Sequence, residues 1–217
     1  MNTHRDKTGF TLIEILVTVG IIAVLTCITI SVATRIDSQA REKLLVNTFA
    51  LLDAALEQFA DFKYQYKYPD YQNFDFPLDC NDSGLPPADI LAVTLQNEFS
   101  TVPVISGGTH DPNYSSSEAL YLFLSRVPEC RQTLDKIDGS LITSLGTDNV
   151  PMTISIDGRN YPLLRIVDPW GTALFYDYYD ELALTLADME LSKRNFPLII
   201  SAGPDRRFGT GDDMTNR

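Results

Sequence analysis

Apolar residues fill the chain from Phe10 to Ala33, interrupted by one charge, Glu14, near the start of the run. Neither Gly nor Pro occurs between Gly20 and Pro69, so one helix is free to continue from the apolar run to about residue 69. Beyond the run the pattern changes. Leu45, Phe49, Leu52, Leu56 and Phe59 recur at alternating spacings of four and three, which places them on one helical stripe. Glu42, Lys43, Asn47, Asp53, Glu57 and Asp61 fill the other face. A helix apolar all round and then amphipathic meets two environments: lipid or other subunits first, its own domain second. The stripe reads as core.

From Pro69 to Pro87 the chain turns to Tyr, Asp, Asn, Phe and Pro, the composition of a surface loop or insertion. Two short helices are expected over Asp89–Phe99 and Ser116–Leu124, the second with a capped start at Ser115-Ser116-Ser117 before Glu118. A Gly-containing connector, Thr101–Asn113, lies between them. Asp157-Gly158 predicts a hairpin turn between strands Met152–Ile156 and Tyr161–Val167. Asp168-Pro169-Trp170-Gly171 has Asp, Pro and Gly where a type I turn favours them. After it, Thr172–Tyr179 and Pro197–Ser201 read as antiparallel strands. Trp170 reads as a structural plug under the long helix.

With 217 residues the chain has room for one anchor and one domain of moderate size. Its formal net charge of −12 repels phosphate backbones, which argues against nucleic acid as a partner and suits divalent cations. The two histidines, His4 and His110, form no Ser-His-Asp or Cys-His set with their neighbours, and no GxGxxG or P-loop string is present. No enzyme is expected. Of the three cysteines, Cys27 lies in the apolar run and is expected to behave as a small buried hydrophobe. Cys80 and Cys130 are a candidate disulfide closing a loop of about 50 residues, for which the chain-entropy model gives about 4 kcal/mol. Two unpaired buried thiols are the alternative.

The N-terminus allows three readings on chemistry alone. A secretory signal peptide would use Ser31-Val32-Ala33 as its cleavage site, but the apolar run exceeds the roughly 7–15 residues of a signal core. A plain single-pass anchor explains the length, since about 20 apolar residues span a bilayer. Neither explains Lys7-Thr8-Gly9-Phe10-Thr11-Leu12-Ile13-Glu14, in which a basic leader ends in Gly9 and a carboxylate stands inside apolar sequence. Glu14 costs about 3 kcal/mol at a helix centre in hydrocarbon unless it snorkels, is protonated or finds a partner. Arg5 and Lys7 favour a cytoplasmic leader, while Arg35, Arg41 and Lys43, offset in part by Asp37 and Glu42, lie past the run.

That string resembles the processing site of type IV prepilins and type II secretion pseudopilins. The resemblance implies cleavage after Gly9 by a prepilin peptidase and methylation of the new N-terminus, Phe10. It implies pairing of Glu14 with the Phe10 α-amine of the same or a neighbouring subunit. It divides the chain into a leader (1–9), a transmembrane and amphipathic spine helix (10–69) ending at Tyr68-Pro69, and a globular head (70–217). The implied fold is α+β and pilin-like: one long N-terminal helix packed on a small antiparallel sheet. The implied partners are copies of itself, other pseudopilins and an inner-membrane assembly platform. The head then lies on the periplasmic side of a bacterial inner membrane, within a periplasmic filament. A minor pilin or adhesin carrying the same signal is the alternative, and the long region 70–167 suits it. Ser31 departs from the family, many of whose members have a helix-bending proline there.

The tail Ser201-Ala202-Gly203-Pro204-Asp205-Arg206-Arg207-Phe208-Gly209-Thr210-Gly211-Asp212-Asp213 sets three carboxylates around a Gly-rich bend. Its spacing is not that of an EF-hand. Chemistry alone leaves a calcium loop and a solvated acidic turn open. The Asp-Pro-Trp-Gly turn and the Ser-x-Gly-x-Asp segment together resemble the major pseudopilins, in which the tail holds calcium. Carried over, that implies ligation by Asp205, Asp212 and Asp213, with carbonyls of Ala202 and Asn216. Arg206 stands where glycine commonly follows the aspartate.

Overall fold

The computed structural model describes residues 12–66, 76, 104–156, 158–179 and 193–217; for 28–34, 63–66, 179, 193 and 194 it describes the backbone alone. The expected leader, the helix over Asp89–Phe99 and most of the Pro69–Pro87 segment lie outside these residues.

One helix, α1, runs unbroken over Leu12–Tyr66, as the absence of internal breakers predicts. The chain divides into two compact units, Met1–Lys43 and Leu44–Arg217, with the boundary inside α1. The reason is the stripe. Leu45, Phe49, Leu52, Leu56 and Phe59 are all buried, and they belong to the core of the second unit.

The second unit follows the order β1 (Val104–Gly107), a 3-10 turn (Pro112–Tyr114), α2 (Ser115–Arg126), α3 (Pro128–Leu134), a 3-10 turn (Gly139–Leu141), β2 (Ile142–Thr143), β3 (Met152–Ile156), β4 (Arg159–Pro162), β5 (Arg165–Ile166), β6 (Phe175–Tyr179), β7 (Lys193–Ser201) and β8 (Met214–Thr215). Among the described residues three small antiparallel sheets result, ordered β1-β3-β4, β2-β5 and β6-β7-β8. The fold is α+β: an N-terminal helix followed by small antiparallel sheets, consistent with a pilin-like protein. One apolar cluster joins the α1 stripe to Leu120, Phe123 and Leu124 of α2, Ile154 of β3, Tyr176 and Tyr178 of β6, and Ile199 of β7.

Two local expectations are corrected. The hairpin forms between β3 and β4, with Ile154 opposite Tyr161, and Gly158 takes the positive φ the turn requires. Its return strand stops at Pro162, because Arg165–Ile166 pairs with β2 instead. The serine triplet does begin α2, but it does not cap it: the N-cap position is Tyr114, with no side-chain capping bond. Asp111 caps the preceding 3-10 turn through Asn113 N–H. The serines turn inward. Ser117 Oγ donates to Ile166 O and accepts from Ile166 N, both at 3.0 Å, and Ser116 Oγ accepts from Tyr176 N at 3.0 Å. Small hydroxyls thus bond strand backbone where strand and helix meet, Ile166 O being shared with Leu174 N.

Truncating Leu52, which is fully buried, is expected to cost about 2–5 kcal/mol in urea unfolding. Glu57→Ala, on the exposed face, is expected to stay within about 0.5 kcal/mol. Equal costs for the two would contradict the packing described.

Candidate functional site

Three groups of residues were singled out from sequence. Of the processing pair, Gly9 and Phe10, both lie outside the described residues. Glu14 is described: it stands exposed in the first turn of α1, where a carboxylate complements the helix dipole. It lines a surface hollow of about 380 Å³ with Ile13, Val17 and Thr18. Around it Leu12, Ile13, Ile15, Leu16, Val17, Val19, Ile21, Ile22, Val24 and Leu25 are each more than half exposed. Hydroxyls on this stretch are turned back on the helix. Thr18 Oγ1 donates to Glu14 O at 2.6 Å and Thr26 Oγ1 to Ile22 O at 2.7 Å, which hides their polarity from an apolar neighbour. Cys27, expected to be buried, is exposed on the single chain.

The spanning expectation is not met within the described residues, where no helix is long and apolar enough to cross a membrane. The ends of the Phe10–Ala33 run fall at 10–11 and 28–33, whose side chains are outside that set.

Cys130 is a free, buried thiol whose Sγ–H donates to Ala55 O at 3.2 Å. Burial pushes its ionisation up to about 12, so it is an inert packing group tying α3 to α1. Its expected partner in a bridge, Cys80, lies outside the described residues.

The tail loop is closed by its own hydrogen bonds. Asp212 Oδ2 accepts from Asp205 N at 3.0 Å, and its Oδ1 from Thr210 Oγ1. The Thr210 hydroxyl, then the Asp205 amide, hold the Asp212 carboxyl below its ordinary range. Asp213 Oδ2 accepts from Gly209 N at 2.7 Å, and Asp205 Oδ1 from Arg207 N at 2.8 Å. Gly203 allows this closure. At φ +65° it packs so closely that a Cβ there would stand 2.3 Å from Asp212 O. Arg206 adopts φ 60°, a left-handed conformation that glycine would take without strain. The three carboxylates share one bend, yet no group of three His, Cys, Asp or Glu side chains among the described residues is placed to hold a metal ion. Their oxygens are the ligand type calcium takes, and Asp213 Oδ1 is buried with no hydrogen-bond partner. The donor set fits the ion; the loop as closed here does not converge three of its members.

The side chain of Asn216 has a structural task of its own. Its side-chain Oδ1 accepts from Ile199 N at 2.9 Å, and Nδ2 donates to Asp53 Oδ1 at 2.6 Å and to Pro197 O at 3.3 Å. It fastens the chain terminus to α1 and β7. Asp53, a residue of the polar face of α1, gave no sign of this in sequence. Ala202 is fully buried at the entrance to the loop.

The two C-terminal motifs are joined by a buried carboxylate. Asp168 Oδ1 accepts from Trp170 N at 3.0 Å and Thr172 N at 2.9 Å, and Oδ2 accepts from Ser201 Oγ at 2.8 Å. Ser201 Oγ in turn accepts from Gly203 N at 3.1 Å. The turn is closed by Gly171 N–H to Asp168 O at 2.9 Å, with Gly171 at φ 94°. Trp170 is buried in the core cluster, as a plug would be. A separate hollow of about 480 Å³ beside Tyr121, Arg131 and Tyr161 is lined by none of the residues singled out from sequence.

Residues 4–26 match the family model of the prokaryotic N-terminal methylation motif. That is a type IV prepilin-like signal. It supports a pilin-like protein that is cleaved and methylated, and it implies a prepilin peptidase and other pilins as partners. No curated protein and no solved structure matches the chain.

Asp168→Ala leaves two buried amides and a hydroxyl without an acceptor, at about 1–3 kcal/mol for each orphaned group. The variant is expected to lose at least about 3 kcal/mol in urea unfolding, and Asp168→Asn less. A neutral Asp168→Ala would show that the bonds carry no weight.

Proposed function

We propose that the chain is a structural subunit of a type II secretion pseudopilus, cut after Gly9 and assembled through its N-terminal helix. The observation that carries this is the methylation motif at 4–26 joined to an exposed apolar stretch on α1. Isolated in water, such a stretch is unfavourable at about 25 cal/mol for each Å² of apolar surface. Copies of the same helix, or lipid before assembly, remove it from water. Cleavage after Gly9 would create a cationic amine on Phe10, four residues before Glu14 in the sequence. Pairing the two between neighbouring subunits cancels two costs at once and sets their stagger. The pseudopilus branch draws its support from the Asp-Pro-Trp-Gly turn bonded to the Ser-x-Gly-x-Asp tail. Calcium enters this reading as a stabiliser of the tail, held by Asp205, Asp212 and Asp213, and its support is the ligand chemistry and the orphaned Asp213 oxygen.

Gly9→Val is expected to leave precursor mass unchanged in cells that carry the peptidase. Glu14→Ala is expected to be cleaved but to assemble poorly, with subunit association weakened about a hundredfold for a pair worth about 3 kcal/mol. Normal filaments from either variant would contradict the proposal. Cryo-microscopy of sheared filaments adds the branch: a homopolymer supports the structural subunit, and a rare cap assigns the minor role.

For the tail, calcium at about 100 times its Kd is expected to add about 2.7 kcal/mol of stability. That corresponds to a rise in melting temperature of about 5–10 °C. Asp213→Asn is expected to abolish the rise. Equal melting in calcium and in chelator would remove calcium from the account.

A further inference from the structure

An imidazole is the side chain whose ordinary charge change falls between about pH 5 and 8. The chain holds two, and His4 belongs to the methylation-motif segment, so His110 is the one imidazole of the head. It is not solvated. His110 Nε2 lies 2.7 Å from Glu118 Oε2, with the ring 14% exposed and the carboxylate 0%. Glu118 sits on α2, at the centre of a small set of charges. His110 and Asp111 face it from the loop after β1 and Arg165 from β5, with Tyr114 of the 3-10 turn against Arg165. The arginine does not satisfy it. Arg165 Nη1 stands 3.6 Å from Glu118 Oε1, beyond hydrogen-bonding distance. Its guanidinium lies 3.7 Å over the Tyr114 ring, and its Nη2 donates to Leu145 O. Glu118 Oε1 and Arg165 Nε and Nη1 are buried without a hydrogen-bond partner. The contact with His110 is therefore the one direct hydrogen bond recorded for a carboxylate wholly removed from water, and a 2.7 Å N···O contact requires a proton between the two atoms.

The segment that carries His110 is anchored on its other side. Thr109 donates to Asp148 Oδ2 through N at 3.0 Å and Oγ1 at 3.1 Å, and Thr147 N donates to Thr109 O at 2.9 Å. Toward α2, His110 supplies the side-chain link.

We propose that His110 and Glu118 form a one-proton latch, which fastens the segment 108–114 to α2 and loosens as pH rises above the ordinary carboxyl range. The sign follows from the surroundings. Burial pushes the Glu118 carboxyl above the ordinary carboxyl range, against the opposing pull of His110 and Arg165. A folded state that keeps a proton above that range binds more protons there than the unfolded chain. The stability from this source is complete below the unfolded value and is lost as pH rises through the raised folded one.

Hydrogen exchange read by mass spectrometry on the full chain in detergent micelles, between pH 5 and 8 and corrected for intrinsic exchange rates, tests the latch. Protection of the amides over 109–114 is expected to fall with pH, by up to tenfold per unit while the proton is released. Protection in β6 and β7 is expected to stay level. Glu118→Gln, which cannot ionise, is expected to flatten the response over 109–114, and so is His110→Gln. A wild-type slope over 109–114 no steeper than in β6 and β7 would overturn the proposal, and that comparison needs no variant to fold. An unchanged slope in a folded Glu118→Gln would overturn it as well.

Discussion

Apolar surface on α1 has to leave water twice, by two different routes. The stripe Leu45, Phe49, Leu52, Leu56 and Phe59 is covered by the head of the same chain. The stretch from Leu12 to Leu25 is uncovered on the single chain, with side chains more than half exposed. At about 1.5–3 kcal/mol for each fully buried large apolar side chain, the ten such residues outweigh the stability of a typical domain. The first burial makes a folded head. The second demands lipid or another copy, and this demand is what turns a folded chain into an assembling one. A methylation motif at 4–26 sits at the start of that surface, where processing would act.

Inside the head, polar groups decide how the elements are fastened. The three sheets are short, of two or three strands each, and ladders alone leave many backbone groups unpaired. Side chains meet the shortfall: Ser116 and Ser117 bond strands from a helix, Asp168 and Ser201 bond a turn to the tail, and Asn216 bonds the terminus to Asp53 on α1. Each is buried or half-buried, where an unsatisfied partner is costly. Glu118 belongs to the same pattern but is less completely satisfied, which is why protons are able to act on it.

Sequence made the repeating features legible. Uninterrupted helix formers gave α1, a spacing of three and four gave its buried stripe, and β-branched and aromatic runs gave β6 and β7, paired with Phe175 opposite Ile200. The Asp-Pro-Trp-Gly turn was legible because its residues act within four positions of one another. What sequence missed lies in partners distant along the chain. Ser115–Ser117 has the local signature of a cap, and nothing local says that Ile166 and Tyr176 need those hydroxyls more. Glu118 follows the serines as an ordinary first-turn acid, and nothing local points to Arg165 and His110, beside which it is buried. The acidic tail was visible as chemistry, but whether its carboxylates face one another or the loop amides depends on backbone angles at Gly203 and Arg206, which composition does not specify.

The central claim is that the segment ahead of the apolar start of α1 is removed before that stretch meets its partners. The intact mass of the chain taken from its native envelope tests this most directly. The account predicts a mature protein that begins at Phe10 and carries one added methyl group. A chain that still begins at Met1, or one trimmed near Thr34 so that the apolar stretch is gone, would contradict it.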